Sequence, residues 1–372
     1  MYASKVWKAC RISWFLTCIL SSLSLFSQEI THFHVHAGLG HVIPIHPDFP
    51  PRDQASRHME LGFQWNREKS LTWKSLYKRI QPALIFFIHD LDKNEVLGKS
   101  IGLMPTYKIL MLEQGRSLIH LELGVSFSWF TQPFNYRDNP GNIVYGTHLN
   151  STSMARLLYR LDLLENWGIE LGGSFFHSSN ANSRQPNIGT NILAAFVGVN
   201  HQLNPPNFHK EKEDLVLINN WGFGMRIGTG WASLGGGGGP PGVIYSSSIY
   251  AYRTIFQRRI RLLAGTKAFY NENTRNFIVN RDIDADLPAA GLGAVVYGGA
   301  EIMLGHWSYV AHMGGYLKQD YLSNYDLYTQ LGIKYYWKDQ QLHEGPQPYL
   351  GAFVHAHSGQ ADFSEFCLGW VF

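Results

Sequence analysis

The sequence predicts an all-β protein, an antiparallel outer-membrane β-barrel of about 14–16 strands. Runs of roughly 9–15 residues alternate apolar and polar side chains, as the strands of such a barrel do. Hydrophobic residues make up 45% of the chain and aromatic residues 14%, while charged residues make up only 16%. After residue 28 no segment reaches the ~20 apolar residues of a spanning helix. The chain ends on Trp370-Val371-Phe372, a terminal aromatic residue typical of the assembly signal of bacterial outer-membrane barrels.

The alternating segments and their connections justify the predicted strand number. We assign strands to 31–43, 58–66, 80–90, 98–109, 117–129, 147–162, 165–179, 190–202, 215–230, 242–256, 258–271, 290–303, 306–317, 324–337, 347–356 and 362–372. Short connections such as 113–116 and 163–165 follow even-numbered segments, whereas long loops such as 130–146 and 272–289 follow odd-numbered ones. Short turns at one end and long loops at the other are typical of outer-membrane barrels.

The N-terminal segment predicts export. Three basic residues lead into the short apolar stretch 12–26, so we assign residues 1–27 to a signal peptide. Residues 28–372 are then predicted to form a single transmembrane barrel domain in the bacterial outer membrane. Removal of the signal peptide leaves Cys367 as the only cysteine, which excludes an intrachain disulfide.

Charge and motif content exclude several function classes. The net charge of +3 and the lack of basic runs argue against nucleic-acid binding, and no cofactor motif is found. His32, His34 and His36 share one strand face, a spacing that suits either a metal site or a polar face turned into the lumen. We assign no metal site. Arg156 and Arg160 are predicted to join a charge network inside the lumen.

The candidate catalytic residues lie near the end of segment 165–179. Residues two apart on a strand point to the same face, so His177 and Ser179 project together. The same face carries the apolar side chains of Phe175 and Leu171, and in a membrane barrel it would face lipid. A serine hydroxyl needs a neighbouring base to become an effective nucleophile, and an imidazole supplies one. His177 and Ser179 are therefore a candidate base–nucleophile pair.

The pattern around this pair, His177-x-Ser179-Asn180 followed by Pro186-Asn187-x-Gly189-x-Asn191, resembles the lipid A 3-O-deacylase (PagL-type) family and its acyloxyacyl hydrolase relatives. The resemblance extends more loosely to the run Thr147-His148-Leu149-Asn150. It implies an outer-membrane barrel that removes an ester-linked acyl chain from lipid A of lipopolysaccharide.

The resemblance also implies roles for the individual residues. Ser179 would be the nucleophile and His177 the general base. Asn180 would help to stabilise the oxyanion, and Asn187 would be a further polar residue of the site. The resemblance divides the barrel into a deacylase-like part, 28–204, and additional strands, 205–372.

The sequence departs from the family pattern where a glutamate is expected twelve residues after the serine. Asn191 stands there, and a neutral amide can orient an imidazole but stabilises its protonated form less than a carboxylate does. Arg184, in the loop after Ser179, is a candidate contact for a lipid A phosphate or simply a solvated charge. His148 is a second, weaker candidate for substrate binding.

Two alternatives remain open from the sequence. The first is a non-catalytic porin-like or structural outer-membrane barrel with a degenerate deacylase site, which Asn191 and the length of the chain would favour. The second is a soluble periplasmic β-sandwich, because alternating segments also occur in that fold.

Overall fold

The computed structural model describes residues 30–44, 46–50, 54–65, 80–91, 95–203, 220–233, 242–255, 259–283, 287–320, 327–340, 343, 345–357 and 360–372. The predicted signal peptide, 1–27, lies outside the described residues. Across the described ranges, no helix has the length and hydrophobicity needed to cross a membrane.

Sixteen antiparallel strands within the described residues confirm the predicted fold class. Their bounds are β1 Ile30–Ile43, β2 Ser56–Trp65, β3 Ile80–Asp90, β4 Lys99–Gln114, β5 Ser117–Phe130, β6 Leu149–Asp162, β7 Trp167–Ser179, β8 Thr190–Gln202, β9 Trp221–Ala232, β10 Gly242–Ile255, β11 Ile260–Asn271, β12 Leu292–Leu304, β13 Trp307–Lys318, β14 Tyr328–Tyr336, β15 Gln347–His357 and β16 Gln360–Val371. In the described part of this region, two short helices lie in the predicted loop 272–289 or overlap its end: α1 Glu272–Asn280 and α2 Leu287–Ala290. The side chain of Asn271 caps α1 by accepting a hydrogen bond from Asn273 N–H.

The strands close into two barrels of eight, so the prediction of a single barrel over residues 28–372 is wrong. β8 pairs with β1, with Val35 opposite Val199, and closes the first barrel before the second begins. β16 pairs with β9, with Leu368 opposite Ile227, and closes the second. Alternation within a strand is a local property, whereas closure depends on which distant strand the chain returns to. The same segments therefore suit one large barrel or two small ones.

The period of two along each strand separates the lumen from the outer surface. On β7, Glu170 and Phe176 are buried inside, whereas Leu171 and Phe175 are exposed outside. The end of the first barrel where β7 ends and β8 begins is called the long-loop rim. Two turns at the other end are short: β4 ends at Gln114 and β5 begins at Ser117, and β6 ends at Asp162 and β7 begins at Trp167.

Buried ion pairs fill the lumen of the first barrel. The Arg156 guanidinium donates to both carboxylate oxygens of Glu60, at 2.7 and 2.6 Å. Glu170 accepts from Lys108 at 3.3 Å and lies 2.6 Å from His36 Nε2. Arg156 thus belongs to the predicted lumen network, whereas Arg160 pairs with Asp162 nearer the short turns, at 2.5 Å. His32, His34 and His36 are all buried in the interior.

The second barrel has a comparable ionic interior. Glu301 accepts hydrogen bonds from Lys334 at 2.8 Å and from the Tyr336 hydroxyl at 2.7 Å. Glu365 pairs with Lys267 and also contacts His355. Because a buried charge is costly unless it is paired, these contacts account for how charged side chains occupy both interiors.

Candidate active site

The predicted pair lies on the outer surface at the long-loop rim. His177 is opposite Asn191 across the β7–β8 ladder. Phe175 and Leu193 follow on the same outward face and are exposed. The polar residues therefore sit at the border between the loops and an apolar wall.

Asn191 holds the imidazole of His177. His177 Nδ1 and Asn191 Oδ1 are 2.7 Å apart, and both side chains are half-buried. An amide oxygen only accepts hydrogen bonds, so Nδ1 must carry the proton that it donates to Asn191. The neutral ring then has its lone pair on Nε2, which is the nitrogen that can take a proton from a nucleophile. Asn191 therefore selects the tautomer that a general base needs.

Ser179 is 7% exposed, and its hydroxyl is held by the loop that follows β7. Ala181 N–H donates to Oγ at 2.9 Å, and Asn187 Nδ2 donates to it at 3.1 Å. In the described part of the chain, no hydrogen bond joins Ser179 to His177. The structure thus places the predicted pair on one face, with the hydroxyl turned towards Asn187.

The orientation of the Asn187 amide is fixed by a backbone group. Asn180 N–H donates to Asn187 Oδ1 at 2.9 Å. A backbone N–H can only donate, so this contact identifies Oδ1. The same oxygen accepts from the Ser179 hydroxyl at 3.2 Å, and Nδ2 is left to donate to Ser179 Oγ. Asn187 therefore presents an N–H donor beside the candidate nucleophile.

The side chain of Asn180 supports the loop. Its Nδ2 donates to the Arg184 carbonyl at 2.7 Å, and the residue is 6% exposed. The Arg184 side chain is exposed. Asn180 thus stabilises the loop conformation, while the Arg184 guanidinium lies where an external ligand can reach it.

The backbone of the loop takes conformations that few side chains adopt. Ala181 and Asn182 have φ of 50° and 60°, and Gly189 has φ of 74°. A Cβ on Gly189 would lie 2.7 Å from the Ser178 carbonyl oxygen, so a side chain is excluded there. This glycine lets the returning chain pass close to Ser179.

Loop 131–148 lies behind the site and buttresses it. Gly189 N–H donates to the Val144 carbonyl at 3.1 Å. The Tyr145 hydroxyl contacts the Thr190 hydroxyl, and burial raises the pKa of Tyr145, so its phenol stays neutral. A Cβ on Gly146 would lie 2.7 Å from the Arg184 carbonyl oxygen, which shows how closely the two loops approach.

His148 is positioned apart from the His177–Asn191 pair. Its ring stacks on Trp129, with centroids 4.5 Å apart, and its Nδ1 is 2.8 Å from the Phe130 carbonyl oxygen. Within the described residues no hydrogen bond links it to His177 or Ser179. The structure holds it at the rim but does not join it to the site.

Asn182 and Gln185 are two further residues of the loop that the sequence did not predict as part of the site. Gln185 Nε2 donates to Asn182 Oδ1 at 2.5 Å, and Gln185 Oε1 accepts from Asn187 N–H at 3.1 Å. The high amide content of segment 180–187 was the available signal, but turn-forming chemistry explains such a composition equally well.

The strands close into barrels whose outer surface is apolar, as in an outer-membrane β-barrel. The polar cluster on the outer face of the first barrel is a candidate hydrolase site. Residues 55–200 match the family model described as lipid A 3-O-deacylase (PagL). Residues 222–372 match the model described as acyloxyacyl hydrolase, C-terminal domain. The chain therefore belongs to the lipid A 3-O-deacylase and acyloxyacyl hydrolase family, with one model on each barrel.

Comparison with curated proteins gives no significant match. Among solved structures, the chain is similar to CdiB from Acinetobacter baumannii, at 9% identity and a TM-score of 0.18, covering 92% of this chain and 60% of that one. It is also similar to a bacterial polysaccharide outer membrane secretin, at 12% identity and a TM-score of 0.20, covering 93% and 99%. A third is the ferric-catecholate import receptor Fiu from E. coli K12, at 9% identity and a TM-score of 0.24, covering 93% and 82%. TM-scores this low carry no information about function.

Proposed function

We propose that the protein is an exported outer-membrane serine esterase that removes an ester-linked acyl chain from lipid A or a related glycolipid. The observation that carries the proposal is the 2.7 Å contact between His177 and Asn191 on the outward face that also bears Ser179. A base of defined tautomer stands beside a serine at the upper edge of an apolar wall. The family models support lipid A as the substrate class.

The first step needs a rotation of the Ser179 side chain away from Asn187. Catalytic hydrogen bonds are often absent or long before substrate binds, so the present hydroxyl position is compatible with catalysis. After rotation, His177 Nε2 takes the hydroxyl proton and Oγ attacks the ester carbonyl carbon. The carbonyl oxygen becomes negatively charged in the tetrahedral intermediate.

Asn187 is the donor that we assign to that oxyanion. Its Nδ2 lies 3.1 Å from Ser179 Oγ and is released when the hydroxyl rotates. A preset amide donor costs little reorganisation at the moment of reaction. Asn180 would act indirectly, because its backbone N–H fixes Asn187 and its side chain holds the loop.

The remaining steps complete the hydrolysis. The intermediate collapses as the ester C–O bond breaks, and His177 returns its proton to the departing lipid hydroxyl. The acyl chain is then bound to Ser179 as an ester. His177 takes a proton from water, and the hydroxide attacks the carbonyl carbon of this ester. The bond from that carbon to Ser179 Oγ then breaks, His177 returns the proton to Oγ, and the fatty acid is released.

Asn191 can replace the expected carboxylate for one of its two tasks. In serine proteases an Asn at the corresponding position lowers the rate by ~10⁴ because it selects the wrong tautomer. Here the amide oxygen faces Nδ1, so the tautomer is the productive one. What is lost is charge stabilisation of the imidazolium, which predicts a slower but functional enzyme.

The substrate would bind from the outer leaflet. Phe175, Leu193 and Leu171 form an exposed apolar face below the site, on which an acyl chain can lie. Arg184 is exposed above it and can pair with a phosphate of the lipid headgroup. We retain His148 as a weaker headgroup contact at the same rim.

Mass spectrometry of lipid A incubated with the purified full-length protein tests the proposal. The native protein should remove one acyl chain, and Ser179→Ala should remove none. No loss from any lipid A tried, or equal loss with Ser179→Ala, would contradict it.

The second candidate function is a porin-like barrel without catalytic activity. The hydrogen bond of Ser179 to Asn187 rather than to His177 is the observation in its favour. The occupied lumens oppose it, since Arg156 is 1% exposed and Glu170 and Glu301 are fully buried. Steady ion conductance in planar bilayers would support the porin function.

A further inference from the structure

The second barrel contacts the candidate nucleophile loop of the first. Asn182 Nδ2 donates to the Asp362 carbonyl at 2.8 Å, and Ser233 N–H donates to the Asn182 carbonyl at 2.9 Å. The Ser364 hydroxyl donates to the Ala181 carbonyl at 3.3 Å. The rim of one barrel therefore holds the two loop residues that follow Ser179 and Asn180.

The contact continues through side-chain amides to the serine. Asn182 Oδ1 accepts from Gln185 Nε2 at 2.5 Å, and Gln185 Oε1 accepts from Asn187 N–H at 3.1 Å. Asn187 in turn contacts the Ser179 hydroxyl at 3.1 Å. An unbroken series of hydrogen bonds runs from Asp362 on β16 to the candidate nucleophile.

We propose that Asn182 and Gln185 are positioning residues through which the second barrel sets the placement of Asn187 and Ser179. The path from Asp362 through Asn182, Gln185 and Asn187 to Ser179 is called the amide relay. This proposal rests on the proposed function and extends it, because residues of the second barrel would then help to position the catalytic residues of the first.

Each amide in the relay has a defined orientation. Asn182 donates to a carbonyl, so its oxygen is the atom left to accept from Gln185. Gln185 must then offer its own oxygen to Asn187 N–H. Rotating either side-chain amide by a half turn would place two donors or two acceptors opposite each other, so the relay has one consistent arrangement.

The relay also fixes a segment whose backbone would otherwise sample other conformations. Ala181 and Asn182 hold φ near +50° to +60°, a region that residues other than glycine enter at some cost. Contacts from Ser233, Ser364 and Asp362 offset that cost. Small displacements at a reacting group matter, since a misplacement of ~1 Å can lower a rate about 10²-fold.

Three variants of the full-length protein test the relay. Asn182→Gly keeps the positive φ accessible but removes both side-chain hydrogen bonds. Gln185→Met keeps the side-chain length and removes the polar ends. Ser183→Ala is the matched control, because the backbone N–H of Ser183 donates to the Asn180 carbonyl and the substitution keeps that hydrogen bond.

The measurement is the turnover of lipid A in mixed vesicles, divided by the number of active sites titrated with a serine-reactive phosphonate. We expect Asn182→Gly and Gln185→Met to lower kcat about tenfold with KM unchanged, and Ser183→Ala to match the native protein. A purely structural role would instead lower the titrated fraction and leave turnover per site unchanged.

A variant at Ser364, which lies outside the amide relay, tests whether a contact from the second barrel affects the loop, because its hydroxyl donates to the Ala181 carbonyl. Ser364→Ala should lower kcat per titrated site, and Ser364→Thr, which keeps the hydroxyl, should restore it. Native turnover per site in all relay variants would overturn the relay alone. A native protein that neither reacts with the phosphonate nor deacylates lipid A would overturn the proposed function together with the relay.

Discussion

The outward face of β7 and β8 in the first barrel differs from the outward face of β15 and β16 in the second. The first presents His177 and Asn191 above an apolar wall. The matching hairpin of the second presents Val354 opposite Ser364 and Ala352 opposite Phe366. In this hairpin His355 is turned into the lumen and is 1% exposed. Two barrels of one fold thus differ at the rim positions where chemistry is possible.

The interiors of the two barrels are more alike than their surfaces. Each lumen holds carboxylates paired with buried cations, such as Glu60 with Arg156 and Glu301 with Lys334. Such pairing satisfies charges that the closed cylinders exclude from water. The two barrels thus share a scaffold, while function depends on a few outward side chains and on the loop that connects them.

Replacing His177 in the first barrel and His355 in the second should give the largest difference between the two barrels. His177→Ala should lower deacylation of lipid A by at least about 10³-fold, because the serine loses its base. His355→Ala should leave turnover per folded molecule unchanged. The measurement is the initial rate of fatty-acid release. Comparable losses in the two variants would contradict a site confined to the first barrel.

Removing one lumen carboxylate from either barrel should destabilise the protein. Glu60→Leu leaves Arg156 without its shortest ion pair, and Glu365→Leu leaves Lys267 buried without a counter-ion. Each should lower the free energy of unfolding by about 3–5 kcal/mol. Urea unfolding followed by tryptophan fluorescence measures this. A change below about 1 kcal/mol in either variant would show that the pair is not essential to that lumen.

Restoring a carboxylate beside His177 should sharpen the difference between the barrels. Asn191→Glu adds a negative charge that stabilises the imidazolium formed during the reaction. We expect the rate of deacylation to rise about tenfold, while Asn191→Ala should lower it. Single-turnover kinetics with excess enzyme give the chemical step directly. A rate unchanged by either substitution would remove Asn191 from the mechanism.

The smallest expected effect concerns the loop charge. Arg184→Ala should raise KM for lipid A about threefold, since an exposed ion pair contributes under about 1 kcal/mol. The effect should shrink at high salt because screening weakens exposed charge pairs. Arg137→Ala, an exposed arginine in loop 131–148, is the control. A shift in kcat rather than KM would contradict a role in substrate binding.

The strands were predictable from the sequence because their signal is local. Segments 31–43 and 165–179 correspond to β1 Ile30–Ile43 and β7 Trp167–Ser179. The outward placement of His177 follows from the same alternation and needs no tertiary information. Its pairing with Asn191 follows from the hairpin register.

What the sequence did not predict depends on contacts between distant residues. Closure into two barrels is set by β8 returning to β1 and β16 returning to β9. The amide relay needs Asn182 to meet Asp362, which is 180 positions away in the chain. The alternation of side chains along a strand contains no information about contacts between such distant residues.

Intact-mass analysis after treatment with a serine-reactive phosphonate tests most directly whether one barrel alone carries the catalytic site. We expect one adduct per chain, located on the peptide that contains Ser179 and absent from His177→Ala. An adduct on a serine of the second barrel, or labelling of Ser179 that does not depend on His177, would contradict it.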